Sequence, residues 1–175
     1  RLGGWLRPLS QATTNQDSGA PCMVIVDEDH AHTRSEIVDV LKSGFGKRFQ
    51  SLMVIISTAG KDAENNPCKK EYDYACDVLK GKIVNENYYA SSRELEEGDD
   101  PANPACWVKS NTILKHENDY SAGILKEIKE DYTRAYGSGA PDKVREFLTK
   151  RCNLWQQDSE EKYLSSEQLR IWDSL

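Results

Sequence analysis

Two short apolar runs, separated by a stretch with helical spacing, constrain the fold of this chain more than any other feature. The first is Cys22 to Asp27 (Cys-Met-Val-Ile-Val-Asp) and the second is Leu52 to Ser57 (Leu-Met-Val-Ile-Ile-Ser). Continuous β-branched runs of this length are typical of strands covered on both faces. Between them, Ser35 to Ser43 has the apolar spacing of a helix. A strand, a helix and a strand in this order predict a crossover connection and an α/β sheet.

The second half of the chain is predicted to be mainly helical. Pro67 to Leu79 and Tyr120 to Tyr136 have amphipathic spacing, and Pro141 opens a further helix through Leu148. The acidic, proline-containing stretch from Glu94 to Pro104 is predicted to be an exposed loop. The shorter elements expected are a strand at Tyr88 to Ser92, a helical turn around Trp107, a helix from Glu167 to Trp172 and one element around Trp5 and Leu6.

Composition narrows the class of protein. A chain of 175 residues with 38% apolar and 30% charged residues suits one soluble globular domain. No apolar stretch approaches the roughly 18 residues of a membrane span, so no membrane partner is expected. The net charge of −6 argues against a nucleic-acid surface that covers the whole domain. The five cysteines are odd in number and have no C-x-x-C spacing, which predicts reduced thiols.

An acidic pair follows the first apolar run. Ligands bind at the carboxyl ends of parallel strands, and Asp27 and Glu28 lie at such an end. In nucleoside triphosphatases of the additional-strand class, the first acid orients the water shell of Mg²⁺ and the second polarises the attacking water. Because adjacent side chains alternate along a strand, the two acids can share one site only if the chain bends there. An ordinary pair of surface acids is the alternative.

Small and polar residues follow the second run and histidines follow the first. The hydroxyls of Ser57 and Thr58 could bond a γ-phosphate or a water, or they could cap a turn that continues through Ala59 and Gly60. His30 and His32 have H-x-H spacing beside the acids. A hydrolase that binds zinc or manganese through these residues is one option, although hydrogen bonds that orient the neighbouring loops are the favoured role of the imidazoles.

The phosphate-binding loop G-x-x-x-x-G-K-[ST] occurs nowhere in the sequence. Without such a loop, backbone amides cannot surround the β- and γ-phosphates, and the lysine that contacts them is missing. These 175 residues alone are therefore predicted to hydrolyse little or no ATP.

Stretches along most of the chain, in order, resemble the large terminase subunit of tailed bacteriophages. They are Leu6 to Ser10, Val24 to His32, Ile55 to Gly60, Glu71 to Gly81, Trp107 to Asn111 and Phe147 to Trp155. The most specific part is D-E-x-H-A-H followed about 25 residues later by I-[ST]-T-A-G. The W-x-K-A-N-P element departs from the family pattern, since Ser110 replaces the alanine and Thr112 replaces the proline.

The resemblance implies a fold, a cofactor and residue roles. The fold would be a partial P-loop NTPase sheet of the additional-strand (ASCE) type with a helix-rich C-terminal half. Asp27 would be the Walker B aspartate that holds Mg²⁺ through water, and Glu28 the catalytic glutamate. Ser57, Thr58, Ala59 and Gly60 would form the motif that couples hydrolysis to DNA movement, and ATP with Mg²⁺ would be the cofactor of the full-length protein.

The resemblance also implies an organisation and partners. Residues 1–93 would be the second part of the ATPase domain, and residues 94–175 a helical linker that leads toward a nuclease domain. The phosphate-binding loop would then lie before Arg1 and the nuclease acids after Leu175. Double-stranded DNA, the portal protein and the small terminase subunit would be partners, in the cytoplasm of the bacterial host. The alternative is a non-catalytic prophage remnant that binds capsid or portal proteins or DNA.

A last expectation concerns the second strand. In the additional-strand sheet order this strand lies between the Walker B strand and the strand that carries the phosphate-binding loop. Without that neighbour, the strand from Leu52 to Ser57 would expose an apolar edge, and such an edge pairs readily with another chain. Self-association through this strand is therefore predicted.

Overall fold

A two-stranded sheet and a set of helices form the regular structure of the computed structural model, which describes residues 3–4, 6–9, 20–32, 35–63 and 65–157. The strands are β1 (Met23–Asp27) and β2 (Leu52–Ile56), and the α-helices are α1 (Glu36–Ser43), α2 (Pro67–Leu79), α3 (Trp107–Ser110), α4 (Asp119–Gly137) and α5 (Pro141–Lys150). The helix predicted from Glu167 to Trp172 lies outside the described residues, and so does Trp5.

The two strands pair in parallel, and α1 lies in the connection between them. The register joins Met23 to Leu52 and Asp27 to Ile56, so both strands end at the same edge of the sheet. The predicted α/β fold is confirmed. The parallel pairing decides where the site lies, because it brings the residues after β1 and the residues after β2 together.

One face of the sheet packs against α1. Val24 and Val26 are buried on that face with Val38 of α1, and the partly buried apolar side chains around them are Ile37, Leu41, Phe45, Met53 and Ile55. The pattern of α1 produces this contact because its apolar residues recur every three or four positions and face one side.

The expectation that both faces of the strands are covered is wrong. On the second face, Met23 and Ile25 of β1 are 49% and 54% exposed, and Leu52 and Ile56 of β2 are both 53% exposed. The exposed residues alternate with the buried ones along β1, as they do in a sheet with one packed face. An unbroken apolar run cannot reveal this difference, since its residues are apolar on both faces.

The helices of the second half begin at the caps that the sequence supplies. The Asn66 side chain accepts a hydrogen bond from the Cys68 N–H at the start of α2. Asn118 and Ser121 form a capping box at the start of α4. Asparagine is among the preferred residues at this position because its short side chain reaches the free N–H groups of the first turn. Pro141 occupies the first turn of α5.

The strand predicted at Tyr88 to Ser92 is wrong. These residues have no regular backbone structure. The Tyr88 hydroxyl donates to Glu71 Oε1 at 2.9 Å, and its ring meets Tyr74 edge to face at 5.0 Å. The aromatic residue therefore packs on α2 through its ring and its hydroxyl.

A second core lies among α3, α4, α5 and the segment after α5. Trp107 and Ile128 are almost fully buried there with Phe147 and Cys152. The Trp107 ring contacts Tyr132 at 5.9 Å and Phe147 at 6.0 Å. Because Cys152 is 0% exposed, the chain leaving α5 stays inside this core before it runs toward the sheet.

Candidate functional site

The chain bends sharply at the end of β1. Asp27 is the last residue of the strand and is exposed. Glu28 has φ 53° and ψ 47°, a left-handed conformation that costs about 1 kcal/mol or more in a residue other than glycine. A 3-10 turn from Asp29 to Ala31 follows directly. The bend that two adjacent acids need in order to share a site is therefore present at Glu28.

His30 joins the acid to the hydroxyls of the neighbouring strand end. Its Nδ1 lies 3.1 Å from Glu28 Oε2, 3.2 Å from Ser57 Oγ and 3.3 Å from Thr58 Oγ1. An ionised carboxylate can only accept hydrogen bonds. The contact with Glu28 therefore requires the tautomer in which Nδ1 carries a hydrogen, and the two hydroxyls complete its surroundings.

The Ser57 hydroxyl is fixed by protein groups. It accepts a hydrogen bond from the His30 backbone N–H at 2.9 Å and donates to the Thr58 carbonyl at 2.9 Å. The Cys68 thiol donates to the same oxygen at 3.4 Å. Burial is the main cause that raises the pKa of the Cys68 thiol to about 11, so it remains a donor near neutral pH. Thr58 differs, because its side chain is exposed at the site.

Gly60 allows the closest approach of the chain in this region. A Cβ at this position would lie 3.0 Å from the His30 Cβ and 3.1 Å from Cζ3 of Trp155. Contacts this short leave almost no room for a side chain. Gly60 therefore lets the loop after β2 lie directly between the turn after β1 and the chain that follows α5.

A cavity of about 740 Å³ opens beside these residues. Glu28, His30, Thr58 and Gly60 line one part of it. From α5, Thr149 and Lys150 also line it. The buried Oγ1 of Thr149 has no hydrogen-bond partner among the described residues. The volume of the cavity lies within the range of small-molecule sites, roughly 300 to 1,000 Å³.

The metal options raised by the sequence can be compared with the geometry of the site. Within the described ranges, no group of three or more histidine, cysteine or acidic residues is placed to hold a metal ion. The zinc or manganese option through Asp27, Glu28, His30 and His32 therefore gains no support from the geometry. Carboxylates that act through bound water, with hydroxyls nearby, are a set that Mg²⁺ accepts, since it keeps several water ligands.

Comparison with known proteins gives the chain its family. The model of the terminase large subunit endonuclease domain matches residues 82–173, more than half of the chain. The model of the terminase large subunit ATPase domain matches residues 1–77. The chain belongs to the terminase large subunit family. The two models meet between residues 77 and 82, whereas the sequence alone suggested a division between residues 93 and 94.

Two individual proteins are similar to this terminase chain. Protein YmfN of Escherichia coli (strain K12) is 28% identical over 153 residues, which are 87% of this chain and 31% of that protein. The crystal structure of the HK97 bacteriophage large terminase matches 88% of this chain and 28% of its own, with a TM-score of 0.57 and 16% identity. The structural match supports the α/β fold. The chain spans about a third of the length of both proteins.

Of the residues singled out from the sequence, Glu28, His30 and Thr58 line the cavity, whereas Asp27 is not among its lining residues. The Ser57 hydroxyl contacts His30.

The residues that hold this arrangement were not predicted from the sequence. Asn66 donates through Nδ2 to the His30 carbonyl at 2.9 Å while its other amide atom caps α2. The Asn-Pro pair before α2 is a signal that could have identified this residue as a cap. Asn153, which contacts the Ala59 N–H, has no such signal, because 94 residues separate the two.

No helix within the described residues is long and apolar enough to cross a membrane.

Proposed function

We propose that this chain is the part of a phage DNA-packaging motor that supplies the acids and the sensing hydroxyls of an ATPase site. The observation that carries the proposal is the contact of His30 with Glu28 and the two hydroxyls after β2. In the family, ATP hydrolysis drives double-stranded DNA into the procapsid. The match of the ATPase-domain model to residues 1–77 supports this assignment.

Each residue of the site has a role in this proposal. Asp27 would hold Mg²⁺ through its water shell, and the ion would supply positive charge to the phosphates. Glu28 accepts the proton of the attacking water, and His30 fixes the direction of its carboxylate. Thr58, exposed beside Glu28, hydrogen-bonds the phosphate or the water, while Ser57 keeps the turn in place. His32 supports the turn after β1.

The organisation of the longer protein is part of the same proposal. Residues 1–93 belong to the ATPase domain, and residues 94–175 form a helical linker toward the nuclease domain. The helical structure of the described part of this segment supports the linker. The nuclease-domain model matches residues 82–173, which associates the segment with the nuclease half of the family protein and begins before the proposed division at residue 94. The DNA, the portal protein and the small subunit are the partners, and the host cytoplasm is the site of action.

The test uses the complete gene product that contains these residues. We expect Mg²⁺-dependent phosphate release from ATP, and we expect Glu28→Gln to lower it about 100-fold or more while Mg²⁺–ATP still binds, because the amide cannot accept the proton. Glu127→Gln removes an exposed carboxylate of α4 and is the matched control, which should keep full turnover. Full turnover in Glu28→Gln would refute the role of Glu28.

A companion measurement uses the 175-residue chain alone. We expect little or no ATP hydrolysis, since the sequence lacks the phosphate-binding loop. Turnover that depends on Mg²⁺ and disappears in Glu28→Gln would show that this expectation is wrong. Binding of capsid, portal or DNA without any nucleotide response in the complete gene product would favour the non-catalytic interaction module instead.

A further inference from the structure

The loop after β2 is held by the chain that follows α5. The segment from Cys152 to Gln156, here the 152–156 segment, makes two hydrogen bonds to this loop. The Ala59 N–H donates to Asn153 Oδ1 at 2.6 Å, and the Gln156 N–H donates to the Gly60 carbonyl at 3.3 Å. The Trp155 ring lies against Gly60 and meets Tyr72 of α2 at 6.1 Å.

The backbone conformation and the side chain of Asn153 both suit this contact. Its φ is 56°, a conformation that asparagine tolerates better than most residues. While its Oδ1 accepts from Ala59, its Nδ2 donates to the Arg93 carbonyl at 2.8 Å. One amide side chain therefore uses both ends, one on the loop after β2 and one on the chain that precedes α3.

The start of the 152–156 segment is fixed to the helical core. The Arg151 carbonyl accepts hydrogen bonds from Ser110 Oγ at 2.9 Å and from Asn111 Nδ2 at 2.8 Å. The Cys152 carbonyl accepts from the Leu95 N–H at 3.1 Å. These donors belong to α3, to its C-terminal end and to the loop before it, so the segment leaves a rigid part of the molecule.

We propose that Asn153 is a positioning residue that links the loop Ser57 to Gly60 to the helical half, so that a displacement of this loop moves the 152–156 segment. The inference rests on the proposed function, because nucleotide at Glu28 and Thr58 is what displaces the loop.

The physical reason is the burial of the Ala59 N–H. Ala59 is only 3% exposed, and a buried N–H without a partner is strongly disfavoured. When the loop shifts, the bond is kept most easily if Asn153 shifts with it. Because Asn153 is joined through Arg93 and Cys152 to the helical half, that shift continues beyond the 152–156 segment.

The variants for the test separate the two bonds of Asn153. Asn153→Gly removes both bonds but keeps the left-handed backbone without strain. Asn153→Asp keeps an oxygen that accepts from Ala59 and loses only the donor to Arg93. Hydrogen–deuterium exchange resolved to single amides should show that the Ala59 amide exchanges about five- to tenfold faster in Asn153→Gly than in the parent. This factor corresponds to the loss of one hydrogen bond. In Asn153→Asp it should stay close to the parent.

The coupling itself is tested by measuring amide exchange in the complete gene product, with and without Mg²⁺ and a non-hydrolysable ATP analogue. In the parent protein we expect the analogue to slow exchange at Glu28 and Thr58 and to change exchange at residues 152–156. Asn153→Gly should keep the first response and lose the second, and Asn153→Asp should keep both.

The outcomes distinguish the inference from the function on which it rests. A response at Glu28 and Thr58 without one at residues 152–156 in the parent protein would overturn the coupling and leave the ATPase proposal standing. No response at either place would refute the nucleotide site and, with it, the coupling. Equal responses in the parent and Asn153→Gly would show that Asn153 does not carry the link. If Asn153→Gly fails to fold, a parent protein without a response at residues 152–156 still overturns the proposal.

Discussion

At the scale of single residues, the site depends on an unusual backbone conformation, on one imidazole ring and on one position without a side chain. Glu28 adopts a left-handed conformation directly after β1. His30 Nδ1 lies within 3.3 Å of the acid and of both hydroxyls. Gly60 leaves room for His30 and Trp155 because it has no Cβ. A local bend, one imidazole and one missing side chain thus bring the two strand ends into contact.

The contact at Gly60 leads to a stability prediction. Gly60→Ala places a Cβ about 3.0 Å from the His30 Cβ, so either the turn or the Trp155 ring must move. We expect the free energy of unfolding to fall by about 1–3 kcal/mol, the usual cost of overpacking. Urea unfolding of the 175-residue chain gives the value from the transition midpoint.

Gly123→Ala is the matched control for Gly60→Ala. Gly123 lies inside α4, and a Cβ there meets no atom within 4 Å. The same chemical change should raise the free energy of unfolding by up to about 1 kcal/mol, because alanine favours the helix. Equal effects of the two changes would contradict the close packing at Gly60.

At the scale of elements, α4 is stabilised by its N-terminal cap and by the core that receives its apolar face. Asn118 caps the N-terminus of α4, and its side chain accepts a hydrogen bond from the Ser121 N–H at 2.9 Å. Its buried face carries Ile128 and Ala135 into the second core. α5 packs beside it, and Arg151 at its C-terminal end contacts Asp131 of α4 at 2.6 Å. The position of the 152–156 segment follows from this packing.

The cap of α4 gives a prediction at this scale. Asn118→Ala removes the acceptor for the Ser121 N–H, and we expect the free energy of unfolding to fall by about 1 kcal/mol. Asn118→Asp keeps the acceptor and adds a negative charge at the helix N-terminus, so it should be at least as stable as the parent. Both are measured by urea unfolding. Identical midpoints for the alanine and aspartate variants would show that the cap contributes nothing.

At the scale of the whole molecule, the described part of the chain leaves one apolar face of the sheet exposed and one edge of β2 unpaired. Among the described residues, β2 pairs with β1 on one side only. Leu52 and Ile56 are each 53% exposed on this strand. A flat apolar edge of this kind offers unpaired N–H and C=O groups to another chain.

This edge predicts self-association of the 175-residue chain. We expect light scattering after gel filtration to give a mass that rises with concentration above the 19.8 kDa of one chain. Leu52→Lys, which puts a charge on the edge strand, should return the mass to that of a monomer. Leu79→Lys changes a similarly exposed leucine of α2 and should not. A monomeric mass of the parent at every concentration would contradict the prediction.

The sequence by itself determined the local features of this protein. The runs at Cys22 to Asp27 and Leu52 to Ser57, the helix limits near Pro67, Leu79 and Pro141, and the acids after β1 were all visible, because each depends on neighbours within a few residues. The family was visible too, since its motifs lie in short stretches along the chain.

Only the tertiary structure decided which distant parts of the chain contact one another and which surfaces stay exposed. It showed that one face of the sheet is exposed, that Tyr88 packs on α2, and that Asn153 bonds the Ala59 N–H. The physical reason is the same in each case. Burial of an apolar face and satisfaction of a buried N–H depend on the partner that folding supplies, and the residue's own neighbours in sequence do not specify that partner.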